Sequence, residues 1–388
     1  MKFCQILLAA FVMLINLSFS LNACTTFVLK RDGKIILAKN FDWFIGDGFL
    51  IINNRGVTKS AFLLNDAQTV KWKSRYGSIT FNQLGKEFPL GGMNEKGLVI
   101  EELNYSLSKY PPAKTANVNE LQWIQYHLDN SQSVQEVLEN LEEITISPLL
   151  FKLHYFLCDR SGEVAIIEFL EGEVKYYSGE EIIVPVLTNN SYENSLKYLR
   201  HHEGFGGSRT VSDGSESPER FVRAATLIRN YDSATNRSVI SDAFAILNSV
   251  KQNDTQWSIV YDISGGEIQF TTLNTTNIRS VNLNDFSFEN TEKISYLVTR
   301  DYNNSEQQFE VYSIEKNSQL LKTVFGKLSK EGEMSEESAE EFLNKLLDYS
   351  RQVKSDLFSQ RLIFRRQDNR FIQFRNEHHS PNKEMDCR

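Results

Sequence analysis

Short apolar and β-branched runs recur in pairs along the chain, each pair joined by polar, turn-forming residues. In TTFVLKRDGKIILA (25–38) two such runs flank Arg31-Asp32-Gly33, which predicts a hairpin. Met93–Tyr105 predicts a second strand pair, with Asn94-Glu95-Lys96-Gly97 as its turn. HYFLCD and EVAIIEF, residues 154–169, predict a third around Arg160-Ser161-Gly162. Trp257–Tyr261 and Glu267–Thr272, separated by Gly265-Gly266, predict a fourth.

Helical signals lie between these groups. Ser133 with Glu136 reads as a capping box before VQEVLENL. Ser217-Pro218 reads as an N-cap followed by proline at the first helical position, and Phe221, Ala224, Ala225 and Ile228 share one face behind it. Strands grouped between helices predict an α+β fold rather than a βαβ sheet. After residue 290, Ile294–Val298 and Phe309–Ile314 read as further strands. Ser335 then caps a helix striped by Phe342, Leu346, Val353 and Leu357. RLIFRRQDNRFIQFR (361–375) is strongly basic, as an edge hairpin with a solvated face or a docking segment would be.

The beginning of the chain has a different character. Lys2 precedes an unbroken apolar run from Ile6 to Ile15, and small residues come after it. This is the pattern of a secretory signal over residues 1–23, too short for a membrane span. The expected location is therefore outside the cytoplasm, periplasmic or secreted. The remaining chain fits one large domain or two ordinary ones. A net charge of −8 argues against nucleic acid as a general partner.

Four cysteines are present, and Cys4 falls in the signal. Cys158 lies in an apolar run and reads as core, whereas Cys387 lies at the terminus. Cys24 stands apart, because cleavage after Ala23 would make it the first residue. A leading cysteine carries a thiol and a primary amine in one residue. The amine titrates at roughly 7.7–8.0 and can take the thiol proton near neutral pH. A second possibility is open here: Leu21-Asn22-Ala23-Cys24 is also similar to a lipobox, which would make the chain a lipid-anchored envelope protein that binds a ligand without chemistry.

CTTFVLK and GKIILAKNFDW resemble the start of the choloylglycine hydrolases and penicillin V acylases, linear-amide enzymes of the N-terminal-nucleophile class. GGMNEKGLVIEELNY (91–105), VLTNN (186–190), SPERF (217–221) and TQWS (255–258) come next in the family's order. The resemblance implies a four-layer αββα sandwich over about 24–290, with 291–388 as a C-terminal extension. It implies Cys24 as nucleophile, Asp42 as the carboxylate orienting it, and Asn104 as oxyanion donor. It also implies Asn189 as a second active-site amide and Arg220 as a cation beside the nucleophile.

Two departures from the family stand out. Lys39 occupies a position where the family commonly has arginine. It keeps the charge for contact with Asp42 or substrate but loses the bidentate fork. Only 31 residues separate Asn189 from Arg220, too few for the projecting hairpin through which some relatives tetramerise, so homo-oligomer formation is left open. Trp43 is a candidate wall of an acyl pocket. The implied substrate is a linear N-acyl amide of the conjugated bile acid, penicillin V, N-acyl amino acid or N-acyl homoserine lactone type. No metal or organic cofactor is implied, since no His/Cys cluster has ligand spacing.

Overall fold

The computed structural model describes residues 24–64, 69–114, 116–231, 237–289, 295–298 and 309–351. Residues 1–23, for which a signal is predicted, Ile294, Val353, Leu357, the basic 361–375 stretch and Cys387 lie outside the described residues. The chain divides after Leu343 into two compact units, and the first carries every strand among the described residues.

The framework of this first unit is two antiparallel sheets. One runs in the order Val186–Leu187, Thr25–Arg31, Lys34–Asp42, Thr255–Asp262, Glu267–Thr272, Thr275–Asn282. The other runs Glu173–Ser178, Val164–Leu170, Leu153–Cys158, Val99–Asn104, Pro89–Asn94, Ser78–Asn82, Phe49–Asn53, Ser295–Val298, Glu310–Val311. All four predicted hairpins are present. The first closes on Asp32 and Gly33, whose φ values of 53° and 75° are both left-handed, in the register Arg31↔Lys34. That is the backbone a two-residue primed turn needs, and it matches the twist of the strands it joins.

The helices are α1 (Glu120–Asn130), α2 (Val134–Glu139), α3 (Tyr192–Leu199), α4 (Ser217–Arg229), α5 (Val239–Ser249), α6 (Ile314–Lys330) and α7 (336–351). Helices α4 and α5 pack on the first sheet and α1 on the second. The sheets meet face to face through aromatic rings. Phe81 of the second sheet lies 5.6 Å from Trp257 and 5.4 Å from Phe270 of the first. This is the four-layer αββα sandwich that the resemblance implies.

Both faces of the Lys34–Asp42 strand are covered from Ile36 onward, so that even the polar Lys39, Asn40 and Asp42 are buried. Alternation sends them opposite ways. Asn40 faces the helices, donating to Leu247 O in α5 at 2.8 Å. Lys39 faces the other sheet, where its ammonium reaches Glu101 and Glu102. A period of two thus decides which layer each polar side chain serves.

Several local expectations need correction. Helix α4 is capped by Glu216, not Ser217; Glu216 N–H donates to Glu219 Oε2 at 3.2 Å, and the Ser217 hydroxyl donates to Thr188 Oγ1 instead. Ser133 does cap α2, but Glu136 reaches back to the N–H of Gln132, one residue beyond a capping box. Phe309–Ile314 is not a strand throughout, because only Glu310–Val311 pairs and Ile314 already opens α6 under the Ser313 cap. Ser335 caps α7 as expected, accepting from Ser338 N–H at 3.2 Å.

Candidate active site

Cys24 sits at the head of the Thr25–Arg31 strand and is 1% exposed. Its surroundings come from four separate stretches of chain. Arg220, on the first turn of α4, donates through Nη1 to the carbonyl oxygen of Cys24 at 2.8 Å and also to the Thr25 hydroxyl. The same guanidinium donates through Nη2 to Asn189 Oδ1 at 3.2 Å and through Nε to Ser215 O at 3.0 Å. Asn189 Nδ2 in turn donates to the carbonyl of Asn104 at 2.9 Å. Cys24, Arg220, Asn189 and Asn104 therefore form one hydrogen-bonded series.

Each partner is delivered by regular structure. Asn104 ends the Val99–Asn104 strand opposite Leu153. Asn189 lies just past the two-residue Val186–Leu187 strand, which pairs with Thr26 and Phe27 beside Cys24. Arg220 is buried although charged, and burial pulls its guanidinium below the ordinary arginine range. A cation held there is paired on every arm, as buried charge requires.

Asp42 lies opposite Thr255, whose hydroxyl donates to Oδ1. Its Oδ2 has no partner among the described residues. Burial pushes the carboxyl up to about 7, against the Thr255 hydrogen bond and the Arg220 charge. An open, buried acceptor next to Cys24 suits an amine donor.

Lys39 is not paired with Asp42. Its ammonium lies 2.8 Å from Glu101 Oε2 and 3.1 Å from Glu102 Oε1, and donates to Glu102 O at 2.7 Å. Burial alone would lower this ammonium, but Glu101 and then Glu102 hold it above the ordinary lysine range. Room for the pair comes from Gly91, where a Cβ would lie 2.1 Å from Glu101 Oε2. Glu101 also accepts from the Tyr261 hydroxyl. Burial pushes the Cys24 thiol up; Lys39 opposes this, while Glu102 and Asp42 add to it.

Trp43 is 2% exposed and packs edge-on against Phe41, Phe44 and Phe151, at 6.2, 5.0 and 6.3 Å. Sequence reasoning misses the roles of Thr255, Glu101 and Glu102. Two adjacent glutamates in a strand look solvated, and only Gly91 beside them hints at a side chain needing space. Among the described residues no cluster of His, Cys, Asp and Glu is spaced to hold a metal ion, and no helix is long and apolar enough to cross a membrane.

Two antiparallel sheets stacked face to face between helices form the αββα sandwich of the N-terminal-nucleophile hydrolase fold. Residues 24–296 match the linear amide C-N hydrolases of the choloylglycine hydrolase family. This protein belongs to that family and is an amidohydrolase of linear amides. Among curated relatives, a penicillin V acylase of Pectobacterium atrosepticum is 28% identical over 180 residues, 42% of this chain and 47% of the relative. That match spans about half the relative's length. A bile salt hydrolase/transferase of Lactiplantibacillus plantarum is 27% identical over 307 residues, 66% of this chain and 92% of the relative. The fold is similar to that of penicillin V acylase from Agrobacterium tumefaciens (TM-score 0.65, 23% identity, 75% of this chain and 98% of that one). It is also similar to a variant of conjugated bile acid hydrolase from Clostridium perfringens (TM-score 0.58, 18% identity, 75% and 97%).

Proposed function

We propose that this protein is exported and hydrolyses linear N-acyl amides through an acyl-thioester on Cys24, exposed as the first residue by cleavage after Ala23. The observation that carries the proposal is the series Cys24–Arg220–Asn189–Asn104, which joins residues from distant parts of the chain to the backbone of one cysteine. Export is supported by Lys2 and the Ile6–Ile15 run ahead of Ala23.

In the reaction, the Cys24 amine takes the thiol proton, and Sγ attacks the acyl carbon. Negative charge moves to the carbonyl oxygen, where the Asn104 amide donates a hydrogen bond; one preorganised donor of this kind is worth about 2.7–4 kcal/mol. As the oxyanion collapses, the C–N bond breaks and the leaving nitrogen takes the proton from the Cys24 ammonium. Water then attacks the thioester with the same amine as base, releasing the carboxylate and restoring the thiol. Asp42 Oδ2, a buried acceptor without a donor among the described residues, holds the amine in place. Arg220 fixes the backbone of the nucleophile through its carbonyl rather than by touching sulfur.

The substrate is a linear N-acyl amide of the conjugated bile acid, penicillin V, N-acyl amino acid or N-acyl homoserine lactone type. Glycocholate, penicillin V and an N-acyl homoserine lactone offered to the processed protein and to Cys24→Ala test this. Cleavage of at least one by the protein and none by the variant is expected. Equal rates with both proteins on all three would refute the substrate class. A diacylglyceryl mass on Cys24 would identify a lipoprotein instead.

A further inference from the structure

Behind the two asparagines lies a buried histidine–glutamate pair that the proposed reaction does not use. Glu168, in the Val164–Leu170 strand, accepts through Oε1 from the N–H of Tyr192 at 2.8 Å, and the same oxygen lies 3.4 Å from His154 Nδ1. Tyr192 is the first residue of α3, three residues beyond Asn189. The His154 ring stacks on Tyr105, with centroids 5.2 Å apart and planes 16° from parallel. Tyr105 comes directly after Asn104, and its hydroxyl bonds to the side chain of Ser191, the cap of α3.

These contacts close a ring. Asn104 leads to Tyr105, Tyr105 to Ser191, and the backbone back to Asn189, which donates to Asn104 O at 2.9 Å. His154 and Glu168 brace the ring from beneath, one under the strand end and the other under the helix start. Both are fully buried, and His154 Nε2 and Glu168 Oε2 have no partner among the described residues. Packing alone would be better served by hydrocarbon, since buried polar atoms without partners are costly. The polar pair is retained where it meets both halves of the site.

We propose that Tyr105, His154 and Glu168 are positioning residues that set the separation of the Asn104 and Asn189 side chains for the transition state. The inference rests on Asn104 serving as oxyanion donor. The test uses processed full-length Tyr105→Phe, Glu168→Ala, Glu168→Gln and, as control, Asn104→Ala. Assays use whichever of glycocholate, penicillin V or acyl homoserine lactone is cleaved fastest, with rates normalised to titrated Cys24 thiol.

Glu168→Ala should lower kcat about a hundredfold while KM stays within about threefold, as a displacement of about 1 Å can do. Glu168→Gln, which keeps an acceptor for the Tyr192 N–H, should recover most of that loss. Tyr105→Phe removes one hydroxyl and should lower kcat about tenfold, which serves as the test if Glu168→Ala does not fold. Unchanged kcat per thiol in both Tyr105→Phe and the folded Glu168 variants overturns the proposal. If Asn104→Ala is itself fully active, the oxyanion assignment fails; if only Asn104→Ala is impaired, the positioning role alone fails.

Discussion

Arg220 Nη1 donates to the carbonyl oxygen of Cys24 at 2.8 Å across 196 residues of sequence. The contact fixes the backbone of Cys24 from a helix, while the remaining guanidinium nitrogens hold Asn189 and Ser215. A single planar fork thus sets the relation between Cys24 and the asparagine pair. Lysine offers donors but not that planar arrangement. Arg220→Lys should lower kcat/KM by about a hundredfold or more on the cleaved substrate, the scale expected of misplacement by about 1 Å. Steady-state kinetics on the processed variant check this, and a rate near that of the parent would contradict it.

Asn189 is held at both ends, accepting from Arg220 and donating to Asn104 O. Asn189→Asp keeps the acceptor but removes the donor and places a carboxylate against a carbonyl. Loss of kcat should be about 10²–10³-fold, comparable to deleting an oxyanion donor. The check is kcat per titrated thiol beside Asn104→Ala, with both variants expected in that range.

Lys39 sets its single ammonium between two fully buried carboxylates. Lys39→Met strands Glu101 and Glu102 without their cation and should destabilise the fold by about 3–5 kcal/mol. The triple variant Lys39→Met, Glu101→Gln, Glu102→Gln removes all three charges and should recover most of that loss. Urea unfolding midpoints of the three proteins decide it. A single variant as stable as the parent would mean the cluster is not an ion pair.

Asp42 carries a pH signature in the chain whose Cys24 nitrogen is still in a peptide bond. Its carboxyl is raised from 3.8 to about 7, chiefly by burial. Between those values the folded protein keeps a proton that the unfolded chain has released. The associated stability is whole below the unfolded value and is lost as pH rises through the folded one. Unfolding midpoints of unprocessed protein should therefore fall from about pH 4 to 7, and Asp42→Asn should flatten that slope. An identical slope in both would assign the titration elsewhere.

How much of this is legible from the chain depends on what each element relies on. The hairpins are readable because their turns are written locally, in Asp32-Gly33 and in glycines such as Gly97 and Gly162 at φ 85° and 84°. Helix α1 is not, because Glu120, Gln122, Gln125, His127 and Asp129 are buried in it beside its apolar residues and blur any stripe. Glu120 and Asp129 find their partners far along the chain. Glu120 accepts the N–H groups of Leu149, Leu150 and Phe151, and Asp129 accepts from Trp72 and pairs with Lys59. Helix α6 is hidden because Phe309–Ile314 has strand composition, and only Ser313 announces the change.

The site divides in the same way. Family motifs locate Cys24, Asn104, Asn189 and Arg220, and the fold brings them together. Proximity in sequence suggests Lys39 beside Asp42, three residues on, yet a strand sends such residues to opposite faces. Its true partners, Glu101 and Glu102, come from the other sheet, and no local pattern encodes a contact between sheets. Thr255 is likewise invisible, since its pairing with Asp42 depends on a register between strands more than 200 residues apart.

The most direct measurement is intact and peptide mass spectrometry of the processed protein quenched in acid during turnover of a cleaved amide. A chain beginning at Cys24 with a free α-amine is expected, together with an acyl mass on its sulfur that is released by hydroxylamine and absent from Cys24→Ala. A mature chain that begins elsewhere, a blocked Cys24 amine, or turnover that persists in Cys24→Ala would contradict the proposed mechanism.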